Sequence, residues 1–378
     1  MTIGFFTDGY APQVNGVATS VESTAKALRK KGHKVFIIAP KYPDFKDKDK
    51  NVIRLQSIPF YKGMNLRVAT HLPEKAMLDV SKIPFDVIHG HSGGTVTIMG
   101  LEIAKIKNIP YVFTYHTLWN RYTHYVLKGK ILTPKMAEIA SRVFSNRCDY
   151  VIAPTERVKK ELKSYGVKKP ITVIPSGIDI ERFEKAKKGY LRKKLGLRKE
   201  KILLYAGRLG KEKSIDFIIK AFEKVSKKDS STILVIAGYG PEEEKLKKLA
   251  KKLNLEDKVL FTGLINQKDM PKVYKDAQIF LFASKTETQG LVVIEAMASG
   301  LPVVGVNDPA IETMVEDGKN GFITKRDTGE FSRKIVELLS NEELLSKFSK
   351  ESKKHAEGFS LDKVACMFEG LYKELVSN

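Results

Sequence analysis

Ile202–Ser214 reads ILLYAGRLGKEKS, an apolar run followed by a basic turn that contains two glycines. Its first four residues predict a buried strand, and the spacing of apolar residues over 214–227 predicts a helix directly after the turn. A strand, a short turn and a helix in this order are typical of one unit of a parallel α/β sheet, whose faces are covered by helices.

The same alternation extends in both directions along the chain. Helical patterns occur over roughly 95–107, 134–147 and 241–253, between short apolar runs. The runs that predict further strands are Ile3–Thr7, Val35–Ala39, Asp86–His89, Tyr111–Tyr115, Tyr150–Ala153, Ile233–Ala237, Val259–Phe261, Ile279–Phe282, Val303–Val304 and Gly321–Ile323.

The chain has 378 residues, which exceeds the usual size of one hydrophobic core. Pro175, Ser176 and Gly177 form a turn that separates two halves with the same pattern. We therefore predict an α/β fold of two Rossmann-like domains, residues 1–175 and 176–359, whose sheets face each other across a cleft. Open parallel sheets bind ligands beyond the carboxyl ends of their strands, so functional motifs are expected directly after strands.

The formal charge of +22 is unevenly distributed. Residues 1–175 contain 28 Lys and Arg against 13 Asp and Glu, which gives +15, and the remaining residues contribute +7. Such an excess fits three kinds of partner: nucleic acid, anionic lipid or an acidic substrate. A surface rich in Lys and Glu, as in thermophiles, explains the second half well and the bias of the first half less well.

The cysteine count and the apolar runs bear on the compartment. Two cysteines cannot build a disulfide framework, which favours a reducing compartment. The first residues lack the basic and apolar regions of a secretory signal, and no run of about 18 apolar residues predicts a membrane span. We therefore expect a cytoplasmic protein that is soluble or lies on a membrane surface.

Two loops combine glycine or cations with features that suit phosphate groups. Gly16 stands between the first strand and the first helix, where a backbone can approach a phosphate at a helix N-terminus. A simple turn glycine is the alternative. Arg208 and Lys213 follow the strand Ile202–Tyr205, and two fixed cations suit a diphosphate leaving group. Here the alternative is a basic loop on a basic protein.

A pair of glutamates, Glu287 and Glu295, carries the strongest signal, with Gly290 and Leu291 between them. The glycine provides a turn before the helix that contains Glu295. Glu287 is expected to project from the loop, and Glu295 to reach a ribose diol about two helical turns further on. Two surface glutamates are the alternative, but Glu295 stands in an apolar run, where an unpaired carboxylate is costly.

Four histidines of the first half cluster along the sequence, at His89, His91, His116 and His124. No zinc signature accompanies them, so no metal site is predicted. His116 follows a predicted strand and is expected to donate a hydrogen bond to a sugar. Asp47-Lys48-Asp49 matches an Asp-x-Asp metal motif only superficially, and we interpret it as a solvated loop.

Together these motifs resemble the family 4 retaining glycosyltransferases, which have the two-domain GT-B architecture. The resemblance covers essentially the whole chain, from Asn15-Gly16 through His116 and Pro175–Asp179 to the Arg208/Lys213 and Glu287/Glu295 pairs. It implies that the first domain binds the acceptor and the second binds the nucleotide sugar. It also implies that the final helix, within 360–378, returns to the first domain.

The resemblance implies a role for each motif residue. Gly16 would approach the donor phosphates by its backbone, and His116 would bind the 6-hydroxyl of the sugar. Arg208 and Lys213 would bind the diphosphate and stabilise its charge as it leaves. Glu287 would hold sugar hydroxyls near the backbone N–H groups of Gly290 and Leu291, and Glu295 would bind the ribose. No metal or other cofactor is implied, because cationic side chains and helix dipoles stabilise the leaving charge.

A narrower resemblance links Pro12–Ser20 and the loop Thr286–Gly290 to the bacterial diacylglycerol glucosyltransferases. Gln289 departs from many relatives, which have Phe there. The narrower resemblance implies retaining transfer of glucose from UDP-glucose to diacylglycerol at the inner face of the membrane. The charge of the first domain would then bind anionic lipid, and the mixtures of aromatic and cationic residues at 60–67 and 119–135 are the predicted contacts.

Two alternative functions remain beside glucosyl transfer to diacylglycerol. A family 4 enzyme could use another nucleotide sugar and another acceptor, such as phosphatidylinositol, a polysaccharide unit or a soluble sugar. Nucleic-acid binding through the basic surface is the alternative from a different class. No recognition helix and no RNA-binding aromatic motif supports it, so no nucleic-acid partner is predicted.

Overall fold

The computed structural model describes residues 1–13, 15–61, 66–70, 75–121, 133–285, 287–309 and 311–377. The chain divides into two compact units. The first unit contains Met1–Gly177 and Leu361–Asn378, and the second contains Ile178–Ser360. The predicted boundary between 175 and 176 lies two residues before this division.

The strands within the described residues are β1 (Thr2–Thr7), β2 (Lys34–Pro40), β3 (Val52–Leu55), β4 (Ser57–Tyr61), β5 (Leu66–Ala69), β6 (Val87–His91), β7 (Tyr111–Thr114), β8 (Tyr150–Ala153), β9 (Ile171–Val173), β10 (Lys201–Ala206), β11 (Thr232–Ala237), β12 (Val259–Gly263), β13 (Ile279–Phe282), β14 (Val303–Val306) and β15 (Gly321–Thr324).

The α-helices within the same residues are α1 (Gly16–Lys30), α2 (Lys75–Lys82), α3 (Thr95–Lys107), α4 (Pro134–Arg147), α5 (Glu156–Ser164), α6 (Ile180–Glu184), α7 (Tyr190–Leu195), α8 (Ile215–Lys228), α9 (Glu243–Lys252), α10 (Met270–Asp276), α11 (Leu291–Ala298), α12 (Thr328–Ser340), α13 (Glu342–Ala356) and α14 (Leu361–Ser377).

The sheet of the first unit has the strand order β3-β2-β1-β6-β7-β8-β9, and each neighbouring pair is parallel. Successive side chains of a strand point to opposite faces. Phe5 therefore packs in the cluster that contains Val21 of α1 and Phe368 of α14, and Phe6 packs with Met99 of α3 on the other face. The final helix thus belongs to the core of the first unit, as expected.

The sheet of the second unit has the order β12-β11-β10-β13-β14-β15 and is also parallel. Leu203 of β10 packs on the face covered by α8, α9 and α12. The next residue, Leu204, packs on the face with α10 and α11. Because both faces are covered, β10 and β11 are continuous apolar runs, which explains why the sequence indicated them clearly.

Four strands were not predicted from the sequence, and one of them, β9, lies at the edge of the first sheet opposite β3. β3 lies at one edge of the first sheet, and β4 and β5 form an antiparallel hairpin outside it. An edge strand buries less side-chain surface than a central one, and three of the four β3 residues are only half-buried. A short strand of this kind lacks the apolar run on which the prediction depended.

The interpretation of Asp47-Lys48-Asp49 as a solvated loop was correct for Lys48, which is exposed, but wrong for the two half-buried carboxylates. Arg54 donates from Nη2 to Asp47 Oδ1 at 2.7 Å, and Arg29 donates from Nη1 to Asp49 Oδ2 at 2.5 Å. The Asp47 side chain is only 14% exposed. These carboxylates therefore anchor the loop between β2 and β3 through ion pairs.

Candidate active site

The loop after β10 holds Arg208 at the carboxyl edge of the second sheet. Arg208 donates from Nη2 to Glu212 Oε1 at 2.7 Å, and the Tyr205 hydroxyl donates to the Arg208 carbonyl at 3.1 Å. The Glu212 side chain is only 5% exposed, whereas that of Arg208 is 37% exposed. A buried carboxylate thus orients a guanidinium that reaches solvent.

The Arg208 loop rests on the turn Gly238-Tyr239-Gly240, which lacks the glycine fingerprint of dinucleotide sites. Leu209 donates its backbone N–H to the Tyr239 carbonyl at 3.0 Å. A Cβ on Gly238 would lie 1.9 Å from the Gly207 carbonyl oxygen, and Gly238 has φ +151°. Only glycine allows the two backbones to approach this closely.

Lys213 and Glu287 form an ion pair in the second unit. The Lys213 ammonium donates to Glu287 Oε1, and the two side chains are 16% and 17% exposed. Lys213 ends the short 3₁₀ turn Lys211–Lys213 before α8, and Glu287 follows β13. β10 and β13 are neighbours in the sheet, so the loops that follow them meet at the same edge.

Tyr205 lies beside these charged side chains. It is buried, and burial raises the pKa of its hydroxyl, with Glu287 and Glu212 adding to this effect and Lys213 opposing it. The hydroxyl therefore stays neutral and keeps its proton for the Arg208 carbonyl.

Glu295 lies on α11, and only 6% of the residue is exposed. The Tyr274 hydroxyl donates to Glu295 Oε2 at 2.8 Å. Burial raises the pKa of Glu295 to about 7, and the hydrogen bond from Tyr274 and the charge of Arg182 limit the rise. The carboxyl group therefore changes charge near neutral pH. The apolar run around Glu295 had argued against a surface glutamate, and its burial agrees with that argument.

Gly290 and Leu291 form the start of α11. Gly290 has φ +82°, a conformation that glycine adopts without strain, and Leu291 is the first residue of the helix. Backbone N–H groups in the first turn of a helix have no partner within that helix. This end of α11 therefore offers N–H groups next to the loop that contains Glu287.

In the first unit, Gly16 is the exposed first residue of α1. Asn15 caps this helix, since its Oδ1 accepts from the Ala18 N–H at 2.9 Å. Asn15 also donates from Nδ2 to Gln13 Oε1 at 2.9 Å, and Gln13 donates to the Tyr42 hydroxyl. The segment that precedes the glycine is thus held by polar side chains.

His116 follows β7 and is half-buried. Its Nε2 lies 3.0 Å from Nδ1 of His91 at the end of β6. Burial lowers the pKa of His116 to about 4, so the ring is neutral at physiological pH. A neutral imidazole carries one N–H donor and one acceptor.

Gly16 and His116 therefore belong to the first unit, and the other predicted site residues belong to the second. Sequence reasoning assigned no role to Tyr205, Glu212 or Tyr274. Glu212 stands between two lysines, a pattern typical of a solvated loop, and nothing in that spacing indicates its burial. Tyr205 was noted only as the last residue of a predicted strand, and no pattern in the sequence singled out Tyr274.

Some predicted features fall outside the described residues. Of the two predicted membrane contacts, 62–65 and 122–132 are outside, as are His124 and Thr286. Among the described residues, no group of three or more His, Cys, Asp or Glu side chains is arranged to hold a metal ion. No helix in the described part of the chain is both long enough and apolar enough to cross a membrane.

Known proteins resemble this chain along its whole length. The family models described as Glycosyltransferase Family 4 and Glycosyl transferases group 1 match residues 14–182 and 187–355. An α-monoglucosyldiacylglycerol synthase of Streptococcus pneumoniae is 38% identical over 330 residues, which cover 85% of this chain and 75% of that protein. The chain belongs to glycosyltransferase family 4. It is therefore an enzyme of the hexosyltransferase class.

A second relative of this glycosyltransferase spans it completely. An α-monoglucosyldiacylglycerol synthase of Acholeplasma laidlawii is 31% identical, and the match covers 100% of this chain and 98% of that protein.

Solved structures confirm the GT-B fold of the glycosyltransferase. Anabaena HepE in complex with UDP has a TM-score of 0.80 at 19% identity, with 99% of this chain and 100% of that chain covered. Sucrose-phosphate synthase of Thermosynechococcus elongatus has a TM-score of 0.80 at 21% identity, with 100% and 99% covered. At these identities the likeness concerns the fold.

Proposed function

We propose that this glycosyltransferase transfers glucose from UDP-glucose to diacylglycerol with retention of configuration, forming an α-glucosyl diacylglycerol. The observation that carries the proposal is the similarity over most of the chain to two enzymes named α-monoglucosyldiacylglycerol synthase. Structural relatives bound to UDP and to UDP-glucose support the choice of donor.

Arg208 and Lys213 would bind the donor diphosphate. Lysine has three N–H donors, so Lys213 can keep its bond to Glu287 while it contacts phosphate oxygens. Arg208 can likewise keep its bond to Glu212, which orients the guanidinium, while it contacts the diphosphate. Each cation is thus held in place before the donor arrives, which favours stabilisation of the charge that develops on the leaving group. With these cations present, we propose that no metal ion or other cofactor takes part.

The remaining site residues would hold the sugar and the nucleoside. Glu287 would accept from the donor-sugar hydroxyls, next to the N–H groups at the start of α11. Glu295 would accept from the ribose diol. In the first unit, the backbone of Gly16 would approach the donor phosphates, and His116 would bind the sugar 6-hydroxyl.

In the proposed reaction, the bond from the sugar C1 to the phosphate oxygen breaks while a diacylglycerol hydroxyl bonds to C1 from the same face. The acceptor proton passes to an oxygen of the departing diphosphate, so UDP and the glucoside are the products. The enzyme supplies positioning and charge stabilisation rather than a covalent intermediate.

We place this reaction at the cytoplasmic face of the membrane, with the first unit binding the acceptor. Residues 1–175 carry a net charge of +15, and each cation near an anionic surface contributes about 1 kcal/mol. Charge alone does not distinguish a lipid surface from other polyanions, so an apolar contact is also needed.

Helix α4 supplies such an apolar contact. Met136, Ile139 and Val143 are 49%, 43% and 53% exposed, and their spacing puts them on one face. Arg142 and Arg147 on the same helix are exposed. An apolar stripe beside cations fits the interface of an anionic bilayer.

The test is incubation of the purified protein with radiolabelled UDP-glucose and vesicles of diacylglycerol and anionic phospholipid, followed by organic extraction. Radioactive label in a lipid product, released from that product by α-glucosidase, supports the proposed donor, the proposed acceptor and the α-configuration together. Release of free glucose without labelled lipid would contradict the acceptor. No consumption of UDP-glucose would contradict the donor.

A soluble acceptor is the second candidate. A D-inositol 3-phosphate glycosyltransferase of Nocardia farcinica is 27% identical over 327 residues, which cover 84% of this chain and 70% of that protein. Labelled water-soluble product in the presence of inositol phosphate, with none in lipid, would favour it.

A further inference from the structure

Three buried or half-buried histidines lie together where β6 and β7 end. His89 and His91 stand two residues apart on β6, so their side chains point to the same face of the sheet. His91 pairs in register with Thr114 of β7, and His116 follows two residues later. The rings of His89 and His91 are 4.0 Å apart, and those of His91 and His116 are 5.3 Å apart and nearly parallel.

A direct hydrogen bond joins the outer two rings. His91 Nδ1 lies 3.0 Å from His116 Nε2. Burial lowers the pKa of both rings, so each is neutral near pH 7 and carries a single N–H. One ring must therefore donate to the other, and the choice fixes the tautomer of both.

The surroundings of His91 indicate which ring donates. His91 is 2% exposed, and its Nε2 has no hydrogen-bond partner among the described residues. If His116 were the donor, the proton of His91 would lie on this buried, unpartnered nitrogen. A buried N–H without an acceptor is rarer and more costly than an unused lone pair. His91 therefore donates from Nδ1, and His116 keeps its own proton on Nδ1.

The His89 and Phe5 rings restrict the position of His91, and His89 is itself held by two hydrogen bonds. His89 Nδ1 lies 2.6 Å from the Tyr372 hydroxyl of α14, and its Nε2 lies 2.6 Å from Thr114 Oγ1. The Phe5 ring contacts His91 edge-on at 4.8 Å. With the tilted His89 ring 4.0 Å away and the Phe5 ring against its edge, His91 has little freedom to turn.

We propose that His91 is a positioning residue that holds the His116 ring and keeps its proton on Nδ1, the nitrogen that donates to the sugar. The role of His116 toward the sugar rests on the proposed function. The tautomer assignment does not, since it follows from the contacts of the folded chain alone.

The first test needs no substrate. Long-range ¹H–¹⁵N correlation spectra of the protein labelled with ¹⁵N-histidine report which nitrogen of each of the seven rings is protonated. We expect the His116 signals, identified by their loss in His116→Ala, to show an Nδ1 proton. We expect them to shift toward the Nε2 tautomer in His91→Leu. An Nε2 proton in the unsubstituted protein, or no change in His91→Leu, would overturn the proposal.

The second test is a double-mutant cycle on glucosyl transfer. His91→Leu should lower kcat/KM by about tenfold, the value of one well-placed hydrogen bond, with the same division between kcat and KM as His116→Ala. In the His116→Ala background, His91→Leu should have no further effect. Additive losses would mean that His91 acts independently of His116, which contradicts the proposal.

Two further variants separate positioning from loss of structure. His91→Asn can place its amide nitrogen near the Nδ1 position, so it should restore most of the activity lost in His91→Leu. His33→Leu is the matched control, because His33 contacts Glu369 and the N-terminus instead. If no UDP-glucose is consumed by any form, the proposed function fails and the spectra alone decide the role of His91.

Discussion

Lys213 and Glu287 come from loops 74 residues apart and neutralise each other in a poorly exposed place. Each partner orients the other. Removal of either one therefore leaves the remaining charge uncompensated and no longer held in position. The pair is therefore expected to act as a unit rather than as two independent contacts.

Lys213→Ala and Glu287→Ala should each lower kcat by a factor on the order of 100 to 1,000, the range for loss of a preorganised electrostatic contact. Lys211→Ala is the matched control, because Lys211 is an exposed lysine on the same 3₁₀ turn. Thermal unfolding and turnover should be measured together. Near-normal turnover in either variant would remove that residue from the proposed site.

Glu295 makes stability depend on pH. Its pKa is raised from 4.5 to about 7, so the folded chain binds the proton more tightly than the unfolded chain. The stabilisation is fully present below pH 4.5 and is lost as the pH rises through about 7, with a total of about 3 kcal/mol. Glu295→Gln should abolish this part of the pH dependence.

Urea unfolding at pH 5 and pH 8 measures the effect. The unsubstituted protein should lose more stability between these values than Glu295→Gln, whereas the exposed control Glu244→Gln should behave like the unsubstituted protein. Equal losses of stability in the unsubstituted protein and in both variants would contradict the raised pKa of Glu295. UDP affinity should rise with pH over the same range, since a ribose diol donates to the ionised carboxylate.

At the scale of elements, two glycine-containing loops share one position at the end of the second sheet. The turn after β11 supports the loop after β10, because their backbones touch at Gly238 and Gly207. The proposed diphosphate site therefore depends on a segment that contributes no charged side chain to it.

Gly238→Ala should displace the Arg208 loop, since the new Cβ would overlap the Gly207 carbonyl oxygen. We expect UDP to bind at least about tenfold more weakly, a loss of about 1.4 kcal/mol, as measured by titration calorimetry. Gly318→Ala is the control, because Gly318 also has a positive φ of +74° but nothing within 4 Å of its Cβ position. Equal effects of both variants would point to backbone strain rather than displacement of the loop.

At the scale of the whole molecule, the first unit carries both the charge excess and most of the exposed apolar side chains among the described residues. Either property alone is common on protein surfaces. Their coincidence in the unit proposed to bind the acceptor favours a membrane surface as the partner.

Ile139→Asp with Val143→Asp should reduce sedimentation with anionic vesicles at low salt, because two carboxylates replace the apolar stripe of α4. Ile106→Asp is the control, since Ile106 is an 82% exposed isoleucine on α3. Binding of the unsubstituted protein should weaken as salt rises. Unchanged sedimentation of the double variant would exclude α4 as the contact, and failure of the unsubstituted protein to sediment would contradict membrane binding itself.

The sequence by itself determined the alternation of strands and helices, the position of the chain crossing and the motifs of family 4. These features are local: a buried strand needs an apolar run, and a ligand loop directly follows it. Arg208, Lys213 and Glu287 could be found in this way because each stands just after a strand.

Only the tertiary structure decided which of these side chains meet. Lys213 reaches Glu287 because β10 and β13 are neighbours, and Tyr372 reaches His89 across 283 residues because α14 packs on the first sheet. Spacing along the chain contains no information on such contacts, since strand order and helix packing set them. For the same reason Glu212 and Asp47 looked solvated in the sequence, although both are buried or ion-paired in the fold.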